Sequence, residues 1–125
     1  MPEDSVETSA EHFEAFQRAA KAWQERLELH EWRIYFNHGC PEDFYSQVHY
    51  RTGSRIATIG FARKWDALRP LTEEEIVLLA RHEVCHLLTA DLQTVAKERY
   101  ANEQQIDDAE EILVRRIEHT IGPVP

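Results

Sequence analysis

A chain of 125 residues is the size of one domain, large enough to bury about two thirds of its unfolded surface, so residues 1–125 are expected to fold as a single unit. Its 42% hydrophobic and 10% aromatic content excludes a disordered chain, and the lack of any apolar run near about 18 residues excludes a membrane span. The net charge of −9 argues against a general nucleic-acid binder.

The charge is uneven. Residues 1–50 hold 10 acids and 4 bases, residues 51–70 hold 1 and 5, and residues 71–125 hold 12 and 5. The basic middle, with Arg51, Arg55, Arg63, Lys64 and Arg69, could meet an acidic substrate, but solvated strand faces and loops account for it more simply. The first residues are acidic and polar, with no basic stretch leading into an apolar core, so no secretory signal is read. Cys40 and Cys85 form no disulfide framework. A cytoplasmic location is expected on these grounds.

Thr8-Ser9-Ala10-Glu11 fits a capping box, in which a hydroxyl and a carboxylate satisfy free amides at a helix start. Phe13, Phe16, Ala20, Trp23 and Leu27 follow at steps of three and four, so an amphipathic helix is predicted to about Leu29. From Glu31 the period becomes two, with Trp32, Ile34 and Phe36 alternating with polar neighbours as in a half-buried strand. After a break at 38–43, Phe44 to Arg51 and Arg55 to Ala62 read as two further strands around the turn Thr52-Gly53-Ser54. Short links between strands favour an antiparallel meander. Gly60 marks either a bulge or a place where another backbone comes close. Arg63 to Pro70 reads as a loop that tucks Trp65 and Leu68 onto the core.

Thr72-Glu73-Glu74-Glu75 is a second capping box, and Leu71 and Ile76 are spaced as a hydrophobic staple. The three glutamates suit the positive end of a helix dipole. Val77, Ala80, Val84, Leu87 and Leu88 supply a buried face, so the helix is predicted to run to about Thr89. Asp91 to Tyr100 either extends that helix or forms a short one of its own. Asn102 and Gln105 form a further start signal. Ile106, Ala109, Leu113, Ile117 and Ile121 then mark a last helix, stopped at Gly122-Pro123. The expected class is α+β: an N-terminal helix, a three-stranded mainly antiparallel sheet, the helix over residues 72–89, and a C-terminal helix.

That third element contains His82-Glu83-Val84-Cys85-His86, a His-Glu-x-x-His pattern. Residues four apart on a helix lie one above the other, so His82 and His86 can converge on one zinc ion. Glu83 is turned by about 100° from His82, where it can take the proton of a zinc-bound water. A catalytic zinc needs a third protein ligand. Metzincin spacing would require a glycine at Thr89 and a histidine at Leu92, so that completion is excluded. Glu103, 17 residues after His86, is a candidate, and Glu98, Asp91 and Glu110 are rivals. Asp107, one turn after Glu103, could accept the free ring N–H of a liganding histidine. Tyr100 and His49 are candidate donors to a developing oxyanion. Cys85 is read as a packing residue rather than a ligand.

His82-Glu83-x-x-His86 followed by Asn102-Glu103-x-x-x-Asp107 resembles the gluzincin branch of the zincin metallopeptidases. The order of elements is also similar to the minimal zincin domains of SprT-like proteins and of small metallopeptidase-like proteins of phages and prophages. The resemblance implies a zinc cofactor held by His82, His86 and Glu103, with Asp107 as an acidic partner in the outer shell. It implies hydrolysis of a protein or peptide substrate by Glu83-assisted attack of zinc-bound water. The alternative is a non-catalytic zincin-like module that binds metal or another protein.

Overall fold

The chain begins, where the computed structural model describes it, at residue 5; residues 5–121 are described. In chain order the elements are β1 (Ser5–Glu7), α1 (Ala10–Arg26), β2 (Arg33–His38), β3 (Ser46–Arg51), β4 (Ile56–Phe61), β5 (Lys64–Asp66), α2 (Glu73–Leu88), α3 (Ala90–Lys97) and α4 (Glu103–Ile121). The α+β class is therefore as the sequence predicts. The stop at Gly122-Pro123 lies outside the described residues.

Helix α1 starts one residue later than its sequence signal. Ser9, not Thr8, is the N-cap: its hydroxyl accepts from the His12 amide at 3.1 Å, and His12 Nδ1 accepts from the Ser9 amide at 3.0 Å. The Thr8 hydroxyl is engaged elsewhere, donating to the Ala62 carbonyl at 2.7 Å. The helix ends at Arg26 rather than Leu29 because Glu28 turns into the left-handed region (φ 54). Gln24 secures that exit by donating to the Leu29 and Trp32 carbonyls at 3.0 and 2.8 Å.

The three-stranded sheet has the order β2-β4-β3, and a separate ribbon pairs β1 with β5. Two pairings, β1 with β5 and β3 with β4, are antiparallel, whereas β2 and β4 run parallel. The expected meander is thus corrected: the segment after β2 passes over β4 and reaches its far side before the tight β3–β4 turn. Spanning two strand spacings takes only about 10 Å, well within the reach of the seven residues 39–45. The crossing explains Gly60, which needs no bulge. A Cβ there would stand 2.5 Å from the Gly39 carbonyl oxygen, so only glycine lets the crossing segment lie on the sheet. Residues 64–66, read as loop, form β5 by pairing with the N-terminal segment, and β3 begins at Ser46 rather than Phe44.

Helices α1 and α2 pack together over one face of the sheet. The core joins Phe16 and Ala20 of α1, Ala57, Ile59 and Phe61 of β4, Trp65 of β5, and Ile76, Ala80, Val84 and Leu87 of α2. Phe16 and Phe61 pack with their rings tilted by 31° and centroids 4.8 Å apart, and Phe61 meets Trp65 at 5.8 Å. Each fully buried side chain of this size stabilises the fold by about 1.5–3 kcal/mol. Trp65 is buried as expected, but Leu68 is 90% exposed, a correction to its predicted place in the core. Leu68 falls in the turn after β5, where its backbone amide is held by Asp66 Oδ1. The opposite sheet face presents Arg33, Tyr35, Asn37, Gln47, His49, Arg51, Ile56 and Thr58, and has no acidic residue at any strand position.

The later helices start where their signals place them, although the Thr72–Glu75 box is half closed, because the Glu75 carboxylate pairs with Arg69 at 3.3 Å. The Thr72 hydroxyl caps α2 through the Glu75 amide at 3.2 Å. Asp91 to Lys97 belongs to the separate short helix α3. Asn102 and Gln105 close a reciprocal pair at the start of α4, each side chain accepting from the other's backbone amide at 2.8 Å. Near its far end α4 is fastened to the α1 exit, where Arg116 donates to the Glu28 carbonyl at 3.0 Å and also pairs with Glu31.

Candidate metal centre

Helix α2 lays Ala80, Val84 and Leu87 into the core, which turns His82 and His86 outward at its edge. The spacing of four does what helix geometry requires of it. The two Nε2 atoms approach to 3.3 Å, with the rings nearly perpendicular at 87°. Two nitrogens bound to a tetrahedral zinc at about 2.0–2.1 Å must themselves lie about 3.3–3.4 Å apart. The pair already has that separation, so its donor chemistry and spacing fit zinc.

Glu83, between them in sequence, reaches toward the sheet and is only 5% exposed. Its Oε2 accepts a hydrogen bond from the Ser46 hydroxyl at 2.6 Å. Ser46 opens β3, and alternation places Ser46, Val48 and Tyr50 on one face toward α2. Together with Phe44, His82, Glu83, His86 and Gln93 they line a cleft of about 310 Å³. Tyr50 donates its hydroxyl proton to Gln93 Oε1, linking β3 to α3 across the cleft. Strand β3 is an edge strand. Because the Tyr45 carbonyl accepts from the Ala62 amide, the backbone groups of Ser46, Val48 and Tyr50 face away from β4, along the open edge.

The remaining candidates are placed as follows. Glu103 is the exposed first residue of α4 and Asp107 is exposed one turn on. Among the described residues, no three His, Cys, Asp or Glu side chains gather closely enough to hold a metal, so Glu103 is not brought to the histidine pair here. Asp91 is committed to Arg55, with Nη2 to Oδ1 at 2.7 Å. Glu98 and Glu110 are exposed. Tyr100 is 85% exposed beside the Arg99 guanidinium, outside the residues that line the cleft. His49 lies on the opposite side of β3 from Ser46, Val48 and Tyr50, where it pairs with Gln47 at 2.9 Å.

Both thiols are held above their ordinary range. Burial is the main cause for Cys85, with Arg81 opposing it. For Cys40 burial comes first and the negative Glu83 carboxylate adds to it. Raised thiols stay protonated at neutral pH and are poor metal ligands as they stand.

Ser46, Tyr50 and Gln93 are cleft residues that motif reading does not find. A signal for the first was present: a serine in phase with Val48 and Tyr50 on the apolar side of a strand is a polar outlier, and such residues have partners. Comparison with protein-family profiles, curated proteins and solved structures finds no match to the chain.

Proposed function

We propose that the chain is a zinc-dependent metallopeptidase in which Glu83 is the general base. The observation that carries this reading is the 3.3 Å approach of His82 Nε2 and His86 Nε2, at the edge of a cleft that also holds Glu83. His82 and His86 would hold the zinc through these atoms; Glu103, which the motif resemblance names as the third ligand, does not stand beside them in this structure. Bound zinc supplies Lewis acidity, which acidifies water and polarises a substrate carbonyl.

The chain's own groups supply the rest. An extended peptide can pair with the outward backbone groups of Ser46, Val48 and Tyr50 on the edge of β3, which is how edge strands commonly capture peptides. A peptide so paired would run along the cleft that His82, Glu83 and His86 also line. Glu83 takes a proton from the attacking water at its carboxylate and returns it to the leaving amine nitrogen.

The test compares zinc content and peptide hydrolysis in three proteins. Wild type should bind zinc and cleave; Glu83→Gln should keep zinc and lose cleavage by at least about a hundredfold; His82→Ala should lose both. Zinc retained by wild type with no cleavage of any peptide would leave the non-catalytic zincin-like module as the reading.

A further inference from the structure

We infer that Ser46 is a positioning residue for the general base: its hydroxyl fixes Glu83 so that one carboxylate oxygen, Oε1, is kept for the proton transfer. The inference rests on the peptidase reading for its consequence and on geometry for its cause. Ser46 and Glu83 are both buried, at 7% and 5% exposure, and are 37 residues apart in sequence, so the 2.6 Å contact joins two independent elements. That distance is typical of a hydroxyl donating to an ionised carboxylate.

The chemistry follows from the single proton of the hydroxyl. Donated to Oε2, it engages one of that oxygen's two lone pairs and lowers its basicity relative to Oε1, so that a proton is favoured at Oε1. When the attacking water loses a proton, the O–H bond of water breaks and the new O–H bond forms at Oε1. The same proton then passes from Oε1 to the leaving amine nitrogen as the C–N bond breaks, which restores the carboxylate. Ser46 neither gains nor loses a proton in the cycle. Without it, the carboxylate has no fixed donor from β3, and the proton can settle on the oxygen turned away from the substrate. A merely structural serine would satisfy a buried acid and leave turnover per folded molecule unchanged.

The test uses Ser46→Ala, Ser46→Cys, which fills similar space with a weak donor, and Ser46→Thr, which keeps the hydroxyl. The first readout is the 13C resonance of the Glu83 carboxyl carbon in metal-free protein, expected to move in the Ala and Cys variants and to return in Thr. The second is peptide hydrolysis with zinc loaded: kcat should fall about 10- to 100-fold in Ala and Cys, with KM and zinc affinity unchanged, and recover in Thr. An unmoved carboxyl resonance overturns the inference, as does an unchanged kcat in either donor-deficient variant of an active enzyme. If zinc-loaded wild type cleaves nothing, the peptidase reading fails. The carboxyl resonance then decides separately whether Ser46 holds Glu83.

Discussion

Arg55 Nη2 and Asp91 Oδ1 lie 2.7 Å apart, joining the β3–β4 turn to the first turn of α3. Arg55 adopts a positive φ of 56 and also sits over the Trp32 ring at 5.3 Å, so its guanidinium is held from two sides. Asp91→Ala is expected to lower stability in urea denaturation by about 1 kcal/mol and to leave zinc affinity untouched. A drop in zinc affinity would return Asp91 to the metal.

Glu103 and Glu98 flank the link between α3 and α4, and only the first follows an asparagine in the motif order. In zinc titrations Glu103→Ala should weaken binding at least about tenfold, since losing a ligand costs no less than losing an outer-shell partner, whereas Glu98→Ala should not. Equal affinities in the two variants would remove Glu103 from the site.

At Gly60 the nearest backbone atom would be 2.5 Å from an added Cβ. Gly60→Ala must therefore push the 39–45 crossing off the sheet. A loss of about 1–3 kcal/mol is expected, read as a lower denaturation midpoint. Gly53, where a Cβ would meet nothing within 4 Å, serves as the control.

His38 stacks on Phe13 at 4.7 Å, and its Nε2 donates to the Thr8 hydroxyl oxygen at 2.6 Å, because the Thr8 proton goes to the Ala62 carbonyl. Its pKa is held below the usual 6.5, first by burial and then by the charges of Arg63 and His12. The folded state thus resists protonation that the unfolded state accepts. This contribution to stability is complete above the unfolded value and is lost as pH falls from about 6.5 toward the lower folded value. Thermal midpoints between pH 7.5 and pH 5, taken as about the window set by that shift, should fall less steeply in His38→Gln than in wild type.

Local signals predicted the helices well, because caps and apolar stripes act within a few residues: Thr72 for α2, the Asn102–Gln105 pair for α4, and Val84 and Leu87 for the buried face. The histidine pair was legible for the same reason, since a helix fixes the relation of residues four apart. Strand order was not. Nothing in the 39–45 segment announces that it crosses β4, and the reason for Gly60 appears only once Gly39 is seen above it. The ribbon of β1 with β5 joins residues about sixty apart, beyond any local pattern. Ser46 showed only as a polar residue in phase with Val48 and Tyr50, since its partner is 37 residues away on another element.

The strand positions on the sheet face turned away from α1 and α2 carry Arg33 and Arg51 and no acid, in a chain whose net charge is −9. The negative excess therefore lies outside those strand positions, much of it on α2 and α4. An anion meeting those strand positions is attracted by two guanidinium groups, and a cation meeting the start of α2 by its three glutamates.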